Sequence, residues 1–528
     1  MAYQIGETRT LTFPDTSLLG SGVARDDGMA VFCPGAVAGD TAEVRITGVK
    51  RRYAEAQLVR LLTPSADRCP PDCAVFGQGG GCAFRHITCE AEARLKENAV
   101  RAALRRCGEI RWDPIFTAPP DGYRNKTVFH LDEHYRAGYY AAATNEFCRL
   151  PDGGCRLLPS LFRDIADATT QVLTEWKSGL PFRALAIRKN TDGEFTAVLH
   201  AAEISGDVRL AAGHWAERLT QRVPGAAGLF LAAGMPEERD VRYERLLGEN
   251  CLTDTFLGLR LRISPAAFYQ VNHDVAEALC TTVAKYAALQ PGETAADLYC
   301  GTGTIGLTLS SLSPGASLTG IEINESAVRD AVTNAEQNKL ESIRFRCGDS
   351  ATAEREGLRF DCVVIDPPRK GCSPEMLAAL TRLAPRRIVY VSCNPATLSR
   401  DAAALAEAGW HVVRAQPFDM FPRTGHVETV CLLSNLNTKQ NIEIDLSMDE
   451  LDLTDAEKKA AYQEIKDYVL EHSGLKVSSL YIAQVKQKCG IIERENYNKS
   501  KSEDAKQPQC PPDKEKAIRE ALKHFGMI

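Results

Sequence analysis

The chain has 528 residues, too many for one hydrophobic core, so about three or four domains are expected. A hydrophobic share of 44% and a charged share of 25% are those of an ordinary globular protein. The net charge of −6 argues against a bulk nucleic-acid binder, which is usually basic.

No apolar run reaches membrane-spanning length, and the start Met1-Ala2-Tyr3-Gln4-Ile5-Gly6 is no signal peptide, so a cytoplasmic protein without a membrane partner is expected. A local basic face can coexist with the acidic total. Arg51-Arg52, Arg101, Arg105-Arg106, Arg124, Lys126 and Arg386-Arg387 are candidates, though each reads singly as a solvated surface. The 18 cysteines, without an export signal, point to reduced thiols and metal ligation rather than disulfides. Nothing implies an obligate protein partner.

From about Gln4 to Leu62 the chain reads as short strands. Val23-Ala24-Arg25 and Ala30-Val31-Phe32 flank the turn Asp26-Asp27-Gly28, and Ala42-Glu43-Val44-Arg45-Ile46 alternates with the period of a half-buried strand. Cys69, Cys73, Cys82 and Cys89 then crowd into a Pro/Gly-rich loop, followed by a helix over Glu90 to Arg106, and Cys148 and Cys155 lie beyond. Tyr123-Arg124-Asn125-Lys126 is a cationic turn.

From Ile263 to about Asn435 strands and helices alternate, which predicts a doubly wound parallel sheet with its ligands at the carboxyl ends of the strands. Ala295-Ala296-Asp297-Leu298-Tyr299-Cys300 reads as the first strand. Gly301-Thr302-Gly303-Thr304-Ile305-Gly306 then opens a helix, with glycines that permit a tight turn and close approach of a ligand. Glu322 ends the next apolar run, where a carboxylate suits a ribose diol. Up to this point a nicotinamide site fits equally well. The strand Cys362-Val363-Val364-Ile365 runs into Asp366-Pro367-Pro368-Arg369, an acid-Pro-Pro turn typical of methyltransferases that use S-adenosylmethionine.

Val389-Tyr390-Val391-Ser392-Cys393-Asn394-Pro395 reads as a buried strand ending in a cysteine at a helix start. Asn394 suits the cap and Pro395 the first helical position. The helix dipole is expected to lower the Cys393 pKa toward a reactive thiolate. After a polar linker, Asn435 to Asn441, the tail reads as helical. Thr454-Asp455-Ala456-Glu457 is a capping box, and the helix after it carries Ala461, Ile465, Tyr468 and Val469 on one face. Further helices are expected over Ser478 to Lys488 and Asp513 to Phe525, on either side of a polar stretch from Asn496 to Pro512.

The motifs Phe268-Tyr269-Gln270-Val271-Asn272, Asp297-Leu298-Tyr299-Cys300-Gly301, Asp366-Pro367-Pro368-Arg369-Lys370-Gly371, Ser392-Cys393-Asn394-Pro395 and His426-Val427-Glu428 occur in this order. Up to about Asn435 the chain therefore resembles the RNA uracil-C5 methyltransferases, and is most similar to the bacterial branch acting on 23S ribosomal RNA. The resemblance implies a TRAM-type, OB-like RNA-binding β-barrel over residues 1–62. A central α+β domain with the cysteine loop would cover 63–262, and a Rossmann-like SAM-dependent methyltransferase domain 263–435. Residues 436–528 would be a linker and small helical domain of unassigned role. Tyr123 to Lys126 matches a family motif near the RNA.

Carbon 5 of uracil is a poor nucleophile until a thiolate adds to carbon 6, and afterwards a base must remove the carbon-5 proton. The resemblance assigns these catalytic roles to Cys393 and Glu428, although Glu428 alone reads as a solvated surface acid. It makes Gln270, Tyr299, Glu322 and Asp366 the S-adenosylmethionine contacts, with Thr304 and Asp349 as weaker candidates. Cytosine-C5 enzymes carry a cysteine in the Pro-rich motif, and amino-group enzymes often an aromatic after the prolines. Arg369 and the absence of such a cysteine favour uracil C5. A transfer-RNA enzyme of the same chemistry and a non-catalytic RNA-binding assembly protein are the alternatives.

Many relatives bind a [4Fe-4S] cluster through three loop cysteines, spaced by five and then two residues, and one distant cysteine. Here Cys73, Cys82 and Cys155 match, but Gly79 holds the middle loop position. Four thiolates are the usual complement. The expected set is therefore Cys69, Cys73, Cys82 and Cys155, with a zinc site or free thiols as alternatives.

Overall fold

The computed structural model describes residues 3–435, except 27, 80, 142–143, 145, 177–178, 237, 239–240 and 357, and then 468–469, 472–473, 475, 477, 479–488 and 511–524. The chain forms two compact units, Met1–Lys439 and Gln440–Ile528.

The first unit begins with a six-stranded sheet in the order Thr8–Thr12, Thr41–Val49, Tyr53–Thr63, Met29–Pro34, Ser21–Asp26, Asp15–Thr16. The expected hairpin pairs Val23 with Phe32 and Arg25 with Ala30, and of its turn Asp27 lies outside the described residues. Alternation sends Ala42, Val44 and Ile46 into a core with Phe13, Val31 and Cys33. One loop of this sheet reaches far along the chain. A Cβ on Gly425 would stand 1.8 Å from the Leu18 carbonyl oxygen, so only glycine fits there, three residues before Glu428.

The central region builds a seven-stranded sheet from Lys126–Leu131, Ala137–Tyr140, Phe147–Arg149, Phe182–Lys189, Phe195–Ala201, Ala226–Ala233 and Arg242–Gly248. Helices Ser160–Trp176 and Gly206–Arg222 contribute Phe162, Ile165, Val208 and Trp215 to its core. Helix α1 (Cys89–Leu104) starts at Thr88, whose side chain accepts from the Ala91 N–H at 3.2 Å. It belongs to both halves of the unit. Its fully buried Lys96 ammonium donates to Glu92 at 2.7 Å, to Asp419 at 2.6 Å and to the Phe421 carbonyl at 3.1 Å.

The catalytic sheet contains β1 (Thr294–Leu298), β2 (Ser317–Glu322), β3 (Ile343–Cys347), β4 (Cys362–Ile365), β5 (Arg387–Ser392), β6 (Trp410–Phe418) and β7 (Glu428–Asn435). Their spatial order is β3-β2-β1-β4-β5-β7-β6, and Arg111–Trp112 of the central region adds an eighth strand beside β6. Strands β1 to β5 are parallel, while β7 runs antiparallel to both neighbours. This is the Rossmann-like α/β sheet expected from the alternating pattern. Apolar runs such as Cys362–Ile365 and Arg387–Ser392 are buried on both faces, as parallel strands under helices must be. The boundary expected at residues 262/263 falls inside the strand Leu259–Ile263. That strand forms a hairpin with Leu252–Phe256 and shares the core of helix α2 (His273–Ala287).

In the second unit, helices Ser479–Lys488 and Pro512–His524 bury Ile482, Val485, Ile518 and Leu522 together with Val469 and Val477. The expected capping box at Thr454 to Glu457 and the residues Ala461 and Ile465 lie outside the described residues, as do the linker from 436 onward and most of the stretch before Pro512. Among the described residues, no helix is long and apolar enough to cross a membrane.

Removing one partner from a buried ion pair leaves the others uncompensated. Lys96→Met should therefore lower unfolding free energy by about 3–5 kcal/mol, read as a lower urea midpoint at unchanged slope.

Candidate active site

The carboxyl ends of β1, β2 and β4 lie side by side, because Leu298 pairs with both Ile321 and Ile365. Tyr299, Glu322 and Asp366 are the residues at or just past these ends. Tyr299 adopts a left-handed φ of 63°, unusual for an aromatic, and its N–H donates to the Ser350 hydroxyl at 3.2 Å. The Glu322 carboxylate accepts from the Gly301 N–H at 3.1 Å and the Asn324 N–H at 2.8 Å, and each oxygen keeps a further lone pair for a ribose hydroxyl.

The glycine loop leads into helix α3 (Thr304–Leu312) with Thr304 at its first position. Gly303 has a φ of 82°, and a Cβ there would stand 2.5 Å from the Phe345 ring. Gly301 has open space around the same position. Gly306 donates its N–H to Asp297 at 2.8 Å, and the other Asp297 oxygen is buried with no partner among the described residues. Burial pushes the Asp297 carboxyl up to about 8. A bare glycine turn, a ribose-facing acid and an unsatisfied buried acceptor fit a nucleoside-type methyl donor.

Gln270 reaches the sheet from a preceding loop that the central region fixes. Asn125 donates through its side chain to the Gln270 carbonyl at 2.9 Å, and its N–H bonds the Val271 carbonyl at 2.8 Å. The Thr302 hydroxyl donates to the Phe268 carbonyl at 3.3 Å, which ties this loop to the glycine turn. Asp349 accepts from the Ala351 N–H at 2.9 Å in the turn after β3.

Cys393 and Glu428 meet through strand register. Ser392 pairs with Thr429 as the last pair of the antiparallel β5–β7 ladder, so Cys393 and Glu428 flank that pair at the same end, where the Glu428 charge bears on the thiol. Glu428 is 7% exposed, not a surface acid. Asn394 caps helix α4 (Pro395–Glu407) by accepting from the Ala396 N–H at 3.0 Å, with Pro395 in the first turn, as expected. Asn394 also donates to the Arg369 carbonyl at 3.4 Å and so joins the acid-Pro-Pro turn to the cysteine turn. Behind both, buried Asp401 accepts from the Cys372 N–H and from the Tyr390 hydroxyl, each at 2.7 Å.

The electrostatics correct one expectation. The Cys393 thiol is raised to about 11, not lowered. Burial is the largest cause, Glu428 and Asp366 add to it, and Arg369 and a backbone hydrogen bond at Cys393 pull the other way. Burial beside two acids disfavours the charged thiolate. Burial likewise lifts Glu428 to about 8, with Asp366 adding and Arg369 opposing, and lifts Asp366 to about 7. Arg369 thus bears on both Cys393 and Glu428, favouring their charged forms. Its position after the two prolines marked the chemistry class, but its electrostatic part depends on the fold.

The cysteine loop is a separate place. Burial raises the Cys82 thiol, which Arg85 lowers and which Cys155 and Cys73 raise further, so these three sulfurs lie within range of one another. Buried Arg85 is held by Asp72 at 2.9 Å and Asp121 at 3.1 Å. Cys69 directs its Sγ to the Arg85 carbonyl at 3.8 Å, and its charge bears on Cys89. Among the described residues, no three His, Cys, Asp or Glu side chains are arranged to hold a single metal ion.

A resting thiol near 11 has a measurable signature. Iodoacetamide labelling of Cys393 without RNA, followed by peptide mass spectrometry, should rise about tenfold per pH unit from about pH 7 to pH 9. A lowered pKa would give a flat profile over that range.

A model of the tRNA (uracil-5-)-methyltransferase family matches residues 257–436, and the TRAM domain model matches residues 3–59. An uncharacterized RNA methyltransferase of Thermosynechococcus vestitus is 32% identical over 452 residues, 82% of this chain and 99% of the relative. One of Nostoc sp. is 34% identical over 451 residues, 81% and 96% of the two chains. Among solved structures, the Pyrococcus abyssi tRNA (uracil-54, C5)-methyltransferase in complex with S-adenosyl-L-homocysteine shares the fold. Its TM-score is 0.61 at 21% identity, over 80% of this chain and 100% of that one. With a TRAM domain at one end, a Rossmann-like sheet carrying the site, and relatives matched along nearly their whole length, the chain belongs to the RNA uracil-C5 methyltransferase family, enzymes that methylate RNA with S-adenosylmethionine.

Proposed function

We propose that the protein forms 5-methyluridine in 23S ribosomal RNA through a transient covalent bond between Cys393 and carbon 6 of the target uracil. The observation that carries this reading is the meeting of Cys393 and Glu428 at one end of the β5–β7 ladder, next to Asp366. The ribosomal target rests on the order and wording of the sequence motifs.

In this reading the flipped uracil enters over Cys393, since carbon 6 is out of reach inside a base stack. Arg369 favours the thiolate, which adds to carbon 6 and makes carbon 5 nucleophilic. S-adenosylmethionine supplies an electrophilic methyl group to carbon 5. Gln270, Tyr299, Glu322 and Asp366 hold and orient that donor. Glu428 takes the carbon-5 proton, the Cys393–C6 bond breaks, and the thiolate is released with the methylated base. A base whose pKa lies near 8 is well matched to such a transfer at neutral pH. The TRAM domain holds the RNA. The cysteine loop binds a [4Fe-4S] cluster through Cys73, Cys82 and Cys155, with Cys69 as the fourth thiol expected from spacing. This group has a structural or RNA-placing role, because methyl transfer needs no redox step.

A second reading, transfer RNA as substrate, draws on the printed substrate of the Pyrococcus abyssi protein. Nucleotide-resolution mapping of 5-methyluridine in ribosomal and transfer RNA from a deletion strain separates the two. A mark lost from 23S rRNA is expected, and a mark lost only from tRNA would favour the second reading. In purified protein, Cys393→Ala should reduce methyl incorporation to background. Glu428→Gln should still add to the RNA but release product about 10²–10⁴ times more slowly, so a denaturant-stable enzyme–RNA species builds up. Donor binding without any turnover in the unaltered protein would point to the non-catalytic alternative.

A further inference from the structure

The spacing that matches iron–sulfur relatives is broken at Gly79, and the structure fills the gap from elsewhere in the chain. A Cβ built on Gly79 would stand 3.7 Å from the Sγ of Cys148, which is therefore the sulfur nearest to where a residue-79 side chain would point. Cys148 lies in the strand Phe147–Arg149 of the central sheet, 69 positions along the chain from Gly79 (148 − 79).

A second observation places Cys148 on the same side as the other thiols. In its antiparallel pairing Cys148 is directly opposite Tyr139, and directly opposed residues share one face of a sheet. Tyr139 and Cys155 both pack against the same buried core of this sheet, so Cys148 shares the face on which Cys155 lies. Cys155 is itself fixed where the chain turns back, through the Leu158 N–H bonding its carbonyl at 2.9 Å.

We propose that Cys148 is the fourth ligand of the cysteine-loop cluster, standing in for the thiol absent at Gly79, so that the ligand set is Cys73, Cys82, Cys148 and Cys155 rather than one completed by Cys69. This rests on the proposed presence of a cluster. Cys73 and Cys82 come from the loop, while Cys148 and Cys155 come from the sheet edge and the turn beyond it, so loading the cluster cross-links the loop to the sheet. Each thiol gives up its proton on binding iron. The net negative charge of four thiolates on the cluster is met by the Arg85 guanidinium, which already lies against Cys82. Cys69 stays outside the set, with its sulfur on the Arg85 carbonyl and its neighbour Cys89.

The test uses the full chain, reconstituted anaerobically with ferrous iron and sulfide. Bound iron, bound sulfide and the visible cluster absorbance are the readouts, independent of methylation. The unaltered protein should hold about four irons per chain, and Cys69→Ser should match it. Cys148→Ser should lose most of the iron, as Cys73→Ser does. Gly79 has no left-handed φ, and a Cβ there makes only ordinary contacts, so a cysteine is sterically admissible. The double variant Gly79→Cys, Cys148→Ser should therefore regain the cluster, which a merely misfolded Cys148→Ser protein would not. Full iron in Cys148→Ser together with loss in Cys69→Ser would overturn the assignment but leave the cluster standing. An unaltered protein that takes up no iron–sulfur cluster at all would overturn both.

Discussion

One antiparallel strand sets the geometry of the active site. In a parallel sheet every strand presents its carboxyl end on the ligand side, so a residue at a strand's amino end normally lies on the far side. Strand β7 runs the other way between β5 and β6, and its first residue, Glu428, is delivered to the ligand side, at the same ladder end as Cys393. A one-residue slip of β7 would turn the Glu428 side chain to the opposite face. Much of the remaining structure limits that slip. Lys96 pins the segment entering β7 through Asp419 and Phe421. Arg423 reaches back to the Phe84 and Ile87 carbonyls, and its own carbonyl accepts from the Ala83 and Phe84 N–H groups. The N-terminal sheet closes over Gly425 through Leu18. The central and N-terminal regions thus act as the frame that positions Glu428, besides any contact with RNA.

The same arrangement sets the charge state of the resting site. Two carboxyls and a thiol share a partly dry space with Arg369, and desolvation raises all three. Burying several like charges is unfavourable, and the cheapest state is largely protonated. A thiol held in that form is protected from stray oxidation and alkylation. That inverts the simplest reading of a cysteine at a helix start. The Asn394 cap and the helix are present, yet burial, with Glu428 and Asp366 adding to it, leaves the thiol raised.

The legible parts of the sequence were those governed by local rules. The apolar runs ending at Leu298 and Ile365, the glycines at 301 and 303, and the Asn394-Pro395 helix start gave the parallel sheet and the turns at its carboxyl end, because period, φ and capping act over a few residues. What was not legible depends on contacts distant in the chain. Lys96 and Asp419 are 323 positions apart, and nothing near either announces the pair. Glu428 follows a glycine and a histidine like any exposed acid, and only the strand pairing buries it. The rise of the Cys393 pKa comes first from burial and then from Glu428 and Asp366, all set by the fold. Cys148 looked like one spare thiol among many, since its value depends on its place opposite Tyr139 and beside Gly79. The role of Asp401, which holds the turn after Gly371 through Cys372 and Tyr390, is equally invisible from the helix that carries it.

The central claim is that the Cys393 sulfur bonds to the substrate ring, and a substrate that cannot complete the reaction tests it most directly. RNA carrying 5-fluorouridine has no removable proton at carbon 5, so addition and methylation proceed while release is blocked. Digestion and mass spectrometry of the trapped complex should yield a peptide in which Cys393 carries a methylated fluorouridine nucleotide. A complex linked through another cysteine, or full methylation of ordinary RNA with no trapped species on the fluorinated one, would contradict the account.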